Sequence, residues 1–215
     1  VVVAGPDTQC GLLAMGVVER GCVGIVAGWS VTAQGITITP QPDSTKRTWV
    51  GRHVVPNRWI AEANAGDGGN AYRWLRDLVF GTADDAYQAM EGMANNVAPG
   101  SDGLLALLGS APIDLSQPGL RPGGFIFPVP TTFSEYGQGH LARGALENIA
   151  YAVRGSCSML EELTGDAASD ISVSGGMTKT KLFNQILANV LGRPINVSST
   201  PDASAVGTAI IAGAS

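Results

Sequence analysis

At 215 residues the chain is long enough for one large or two small domains, and it should bury roughly 70% of its unfolded surface in a substantial core. Hydrophobic residues make up 45%, charged residues only 14%, and glycines number 29, a globular, turn-rich α/β or α+β composition that excludes disorder. Lys and Arg total 13 against 18 Asp and Glu, a net charge of -5 with no basic run, which argues against nucleic acid and acidic membranes as partners.

Residues 1–4 are a β-branched run fit for a buried strand, broken by Gly5-Pro6 and followed by a small-residue helix pattern over 8–18. Asp7 stands where strand gives way to helix. It serves there either as a helix N-cap or as a carboxylate at the carboxyl edge of a sheet, able to accept a proton. Residues 23–27 and 31–38 predict a two-stranded hairpin closed by Gly28-Trp29-Ser30. That tip is either a plain turn or a place where backbone N–H groups and Ser30 meet a phosphate.

After a polar loop over 40–47, strand character resumes at 48–55. Residues 59–64 then lead to Gly66-Asp67-Gly68-Gly69 and a helix over 71–80, with Trp74, Leu75 and Leu78 on one side. A short helix over 84–93 and an apolar strand over 104–108 come next. Residues 111–130 are rich in Pro and Gly and predict an ordered excursion, because Phe125, Ile126 and Phe127 need burial. The longest helix is expected over 138–163, its apolar stripe ending at Gly165.

The stretch over 170–191 is the one the chain is organised around. Residues 171–174 read as a buried strand, Gly175-Gly176 as a turn that only glycine enters cheaply, and 178–191 as an amphipathic helix closed by Gly192. Such a corner exposes backbone N–H groups, so it is either a nucleotide site or an ordinary strand-to-helix turn. The order S-G-G-M-T-K-T-K is neither G-x-x-x-x-G-K-[ST] nor G-x-G-x-x-G, which excludes the usual phosphate-wrapping loop and weakens a dinucleotide reading. Residues 193–199 form a strand, and 203–212 a closing helix capped near Asp202.

Cys10, Cys22 and Cys157 lack C-x-x-C spacing and read as reduced core thiols. His53 and His140 show no metal-ligand pattern, and surface or helix-end roles are expected for both. No apolar stretch approaches the roughly 20 residues that span a bilayer, and the N-terminus shows no signal peptide, so a cytoplasmic protein is expected. The chain opens on an apolar run without methionine, which suggests a fragment whose natural start lies upstream.

Taken together, the segments GPDTQCGLLAMGVV, GIVAGWS, WVGRHVVPNRWIAEANAGDGGNAYRWLRD, HLARGALENIAYAVR, SGGMTKTKLFNQILANVLGRPI and DASAVGTAIIAG resemble the FGGY family of carbohydrate kinases in order and spacing. The resemblance implies an α/β fold of the ribonuclease-H-like, actin-like ATPase kind, a mixed sheet flanked by helices, with ATP and Mg2+ in a cleft between two domains. It makes Asp7 similar to the catalytic base that takes the proton of a sugar hydroxyl. Gly28, Trp29 and Ser30 match the phosphate hairpin, usually G-T-[SG], from which Trp29 departs, leaving backbone contact. Gly69 and Arg73 match positions near the nucleotide, and Gly175, Gly176 and Thr180 the adenosine turn.

On this resemblance residues 1–20 are the tail of an N-terminal domain and 21–215 the C-terminal nucleotide-binding domain. The missing N-terminal domain would carry the first phosphate loop, the metal-binding carboxylates and most sugar contacts, so no metal ligand is assigned to this chain. The segments around Asp7, WVGRHVVP and RWLRD look closer to the xylulokinase and autoinducer-kinase branches than to glycerol kinase. Expected partners are a sugar or polyol, the absent domain and a second copy in a homodimer. The alternative is a non-catalytic nucleotide- or sugar-binding regulatory module of the same superfold, or an oligomerising fragment.

Overall fold

The computed structural model describes residues 4–114, 119, 122–128, 135–200 and 202–214, so all but the end of the expected strand over 1–4 lies outside the described residues. β1 (Cys22–Ala27), β2 (Val31–Thr37), β3 (Trp49–Arg52) and β4 (Trp59–Asn64) form the first part of one sheet. β5 (Leu105–Leu107) and β6 (Gly124–Ile126) pair separately, and β7 (Asp170–Ser174) and β8 (Asn196–Val197) complete the main sheet. Its order is β3-β4-β2-β1-β7-β8. The first four strands pair antiparallel, whereas β7 runs parallel to both β1 and β8. Chain length between strands explains the change: three residues join β1 to β2 and allow only a hairpin, while long helical crossovers separate the parallel pairs.

Helices cover both faces. α1 (Asp7–Ala14), α2 (Gly68–Val79), α3 (Ala86–Asn95), α4 (Gln138–Thr164), α5 (Lys181–Leu191) and α6 (Ala203–Gly213) follow in chain order. On one face α4 lies across the sheet, and its Leu146, Ile149, Val153 and Leu160 interlock with Val23, Ile25, Val31, Ala33 and Val173. Each such side chain contributes about 2 kcal/mol of burial free energy. α2, α3 and α5 pack around α4. On the other face α1 seals a smaller cluster of Leu12, Val17, Ile36 and Ile60. α6 lies against α1 so closely that a Cβ at Gly207 would stand 1.8 Å from the Cys10 carbonyl oxygen, a crossing open only to glycine.

The expected elements are present with shifted ends. α1 stops at Ala14, because the chain turns out at Gly16 with φ 72°. α2 begins at Gly68 rather than residue 71, and α5 at Lys181 after a 3-10 turn over Gly176–Lys179. β8 is only two residues long. α4 ends as expected, with Gly165 left-handed at φ 69°.

Two expectations are corrected. Of the aromatic run in the excursion, Phe125 packs against the core, but Ile126 and Phe127 are exposed: in the two-stranded β5–β6 ribbon, strand alternation turns Ile126 to the opposite side from Phe125. Residues 115–118, 120, 121, 129 and 130 of that excursion lie outside the described residues. His53 is not at the surface but buried in the β3–β4 connection, where its Nδ1 accepts the Val55 N–H at 2.9 Å. Burial holds its imidazole below the ordinary value. His140 does sit at a helix start, as expected, with Nδ1 accepting the Gly137 N–H.

The three cysteines are free, and burial pushes the Cys157 thiol up to about 12. No helix among the described residues is long and apolar enough to cross a membrane.

Candidate functional site

β1 and β7 run side by side and end together, with Val26 opposite Ser174. Beyond these ends the chain makes three glycine corners. The first is the hairpin tip Gly28-Trp29-Ser30, where the Gly28 N–H bonds back to the Ser30 carbonyl at 3.1 Å. The second is the start of α2, and the third is Gly175-Gly176 after β7.

Close backbone packing joins these corners. A Cβ on Gly69 would stand 2.0 Å from the Gly28 carbonyl oxygen, and the next residue, Asn70, donates its N–H to the Trp29 carbonyl at 3.0 Å. α2 is therefore pinned directly on the hairpin tip. Gly175 has φ 106°, and a Cβ there would stand 2.4 Å from the Ala27 carbonyl oxygen. Any larger residue at Gly69 or Gly175 would push the corners apart.

The corners open onto a cleft of about 530 Å³, a size suited to a nucleotide-sized ligand. Of the expected site residues, Gly28, Trp29, Gly69, Arg73, Gly176 and Thr180 all line it. Gly175 forms its floor indirectly through the packing on Ala27, and Ser30 is exposed at the adjoining tip. Trp29 is 66% exposed, and the Arg73 guanidinium lies 4.4 Å from its ring centroid. An aromatic wall and a cation thus stand together at the mouth.

Sequence reasoning missed half of the lining. Tyr87, Gln88 and Glu91 come from α3, and Asn70, Tyr72, Met177 and Lys179 complete the wall. Glu91 Oε1 accepts the Leu182 N–H at 2.9 Å, so α3 caps the N-terminus of α5 with a carboxylate. Tyr87 stacks against buried Tyr72 with centroids 6.0 Å apart, and burial raises the Tyr72 phenol. The spacing of 87, 88 and 91 on one helix face was the available signal.

Asp7 does not line this cleft. It is exposed at the first turn of α1, on the opposite face of the sheet, and its Oδ1 accepts the Thr8 N–H at 2.8 Å. Thr8 Oγ1 accepts a hydrogen bond from Gln34 on β2 at 3.0 Å. Gln34 lies four residues along β2 from the hairpin tip, roughly 13 Å at the rise of an extended strand.

The mixed sheet with helices on both faces and the open edge beyond β1 and β7 define a domain of the ribonuclease-H-like, actin-like ATPase fold. Within that class the chain belongs to the FGGY family of carbohydrate kinases: residues 23–215 match the family's C-terminal domain. It is 31% identical over 231 aligned positions to an autoinducer-2 kinase of Yersinia pestis (strain Pestoides F), covering 99% of this chain and 41% of that protein. The xylulose kinase from Rhodospirillum rubrum superposes with a TM-score of 0.82 at 28% identity, over 97% of this chain and 41% of that one. Plasmodium falciparum glycerol kinase, solved with ADP, shares the fold with a TM-score of 0.79 at 19% identity, over 97% of this chain and 41% of its own. The chain thus spans about two fifths of the length of the relatives it matches.

Proposed function

We propose that this chain is the ATP-binding portion of a kinase that transfers the γ-phosphoryl group of ATP to a hydroxyl of a sugar or polyol. The observation that carries the reading is the convergence of three glycine corners on one cleft at the carboxyl ends of parallel β1 and β7, where ligands of open α/β sheets gather. The cleft suits ATP: its floor is bare backbone, Trp29 and Tyr87 offer ring faces, and Arg73 and Lys179 offer positive charge. The Gly69 N–H at the start of α2, beside the hairpin tip, holds phosphate oxygens, while Gly176 and Thr180 line the nucleoside end.

Phosphoryl transfer needs alignment and charge neutralisation more than covalent help. Asp7 takes the proton of the attacking hydroxyl. Magnesium would neutralise phosphate charge. No group of three or more His, Cys, Asp or Glu able to hold a metal occurs among the described residues. Residues 1–20 form the tail of a preceding domain, which brings the acceptor and closes the cleft over residues 21–215. The acceptor is of the xylulose or autoinducer-2 kind, after the relatives' names, and the location is cytoplasmic. The whole kinase pairs with a second copy as a homodimer.

Turnover by the full-length protein tests the reading. ADP release with D-xylulose or autoinducer-2 as acceptor is expected, and Asp7→Asn should lower kcat by about 10³-fold with KM for ATP unchanged. Undiminished turnover in Asp7→Asn would remove Asp7 from the chemistry.

A further inference from the structure

The proposed nucleotide cleft leaves unused a cluster of polar groups on the other side of the sheet. On the α1 face of the sheet, Gln34 and Glu62 stand opposite one another in the register of β2 and β4. Gln34 is fully buried, and its Nε2 donates to both Glu62 Oε2 and Thr8 Oγ1. Thr8 then gives its own backbone N–H to Asp7 Oδ1. Gln34 and Glu62 thus hold the Thr8 side chain, and with it the first turn of α1 that carries the exposed acid.

This face could have been closed with apolar residues, as it is a few residues away at Ile36 and Ile60. Instead it buries polar groups at a cost, and Gln34 Oε1 and Thr32 Oγ1 have no hydrogen-bond partner among the described residues. Packing alone does not account for such a choice.

We propose that Glu62, Gln34 and Thr8 are positioning residues for Asp7, fixing its carboxylate as the proton acceptor of phosphoryl transfer; the proposal rests on the reading of Asp7 as the base. The two acids have unequal surroundings. Burial raises Glu62 most, the nearby Asp7 raises it further, and the Gln34 hydrogen bond opposes both. Arg52, on the neighbouring strand, is turned to the other face and stacks over Trp59, so it does not neutralise the pair. Burial and the neighbouring Asp7 both favour the protonated form of Glu62. In the reaction the hydroxyl oxygen bonds to the γ-phosphorus, the bond from that phosphorus to ADP breaks, and the hydroxyl proton passes to Asp7. Glu62 neither gains nor loses a proton.

Thr8→Val removes the Oγ1 link while keeping the shape of the side chain, and Thr8→Ser keeps the link. In the full-length protein Thr8→Val and Gln34→Leu should lower kcat about tenfold or more, leave KM for ATP within twofold, and move the acidic limb of the pH–rate profile. Thr8→Ser should restore kcat to within about threefold. Equal kcat and pH profiles for Thr8→Val and wild type, beside an inactive Asp7→Asn, would overturn this inference alone. Undiminished turnover in Asp7→Asn would overturn it together with the base reading. A readout independent of activity is the carbon-13 titration of the Glu62 carboxyl in this chain. Its midpoint should lie above the ordinary glutamate range and fall in Asp7→Asn; a midpoint that ignores Asp7 would also overturn the proposal.

Discussion

The two faces of the sheet are built on opposite principles. At the cleft, shape comes from atoms that are missing: Gly69 and Gly175 let main chains approach until no Cβ fits. At the Asp7 corner, shape comes from polar groups that are present, linked across α1, β2 and β4. The first kind of site is rigid and unforgiving of any added carbon. The second can be adjusted atom by atom, and it titrates. Under the proposed function the two are complementary, since main chain would grip a nucleotide and a carboxylate would move a proton.

The largest expected effect is at the cleft. Gly69→Val places a branched side chain where the Gly28 carbonyl already stands, so the hairpin and α2 must separate. It should cost about 3 kcal/mol, a fall in Tm of roughly 6–12 °C for a chain of this size, and weaken nucleotide binding at least tenfold. Calorimetry with and without ATP checks both. A variant as stable as wild type would show that the corners are not pinned together.

The Asp7 face should respond to pH instead. Glu62 has a folded-state value above its ordinary one, so the folded protein binds that proton more tightly than the unfolded chain. Its contribution to stability is present below the ordinary glutamate value and is lost as pH rises through the raised one. His53 has the reverse sign: its value is depressed, so stability is present above the ordinary histidine value and is lost as pH falls below it. Urea unfolding across pH 4–8 should therefore show Glu62→Gln and His53→Gln each removing a slope of up to about 1.4 kcal/mol per pH unit, in opposite directions. Identical slopes in wild type and Glu62→Gln would mean that the acid is not shifted.

The smallest effect is at the cleft mouth. Trp29→Ala removes the ring beneath Arg73 but leaves the Trp29 carbonyl that binds Asn70. An exposed cation–π pair is worth about 0.5–1 kcal/mol, so ATP binding should weaken only two- to fivefold. A loss as large as that of Gly69→Val would make the side chain, not the main chain, the principal contact.

The same contrast governs what the sequence revealed. The hairpin β1–β2, the long α4 and its Gly165 stop follow from local periodicity and turn chemistry, and they lie where the pattern placed them. The glycines of the cleft were legible because a glycine run is itself a local signal. The helix start at Gly68 was set three residues late, because glycine is a poor helix former until the close approach to Gly28 requires it. Glu91 and Gln88 were missed because their role depends on α3 meeting α5 across about ninety residues of chain. Gln34, Glu62 and buried His53 escaped for the same reason: each is a polar residue whose environment is assembled by distant partners, and no period announces it.

The most direct test of the account is an ATP titration of this chain followed by backbone amide shifts. Without the preceding domain binding should be weak, and the shifts should gather on Gly28, Trp29, Gly69, Arg73, Gly176 and Thr180 while Asp7 and Thr8 stay still. Shifts centred on the α1 face, or none at millimolar ATP, would contradict the claim that the three glycine corners form the nucleotide site.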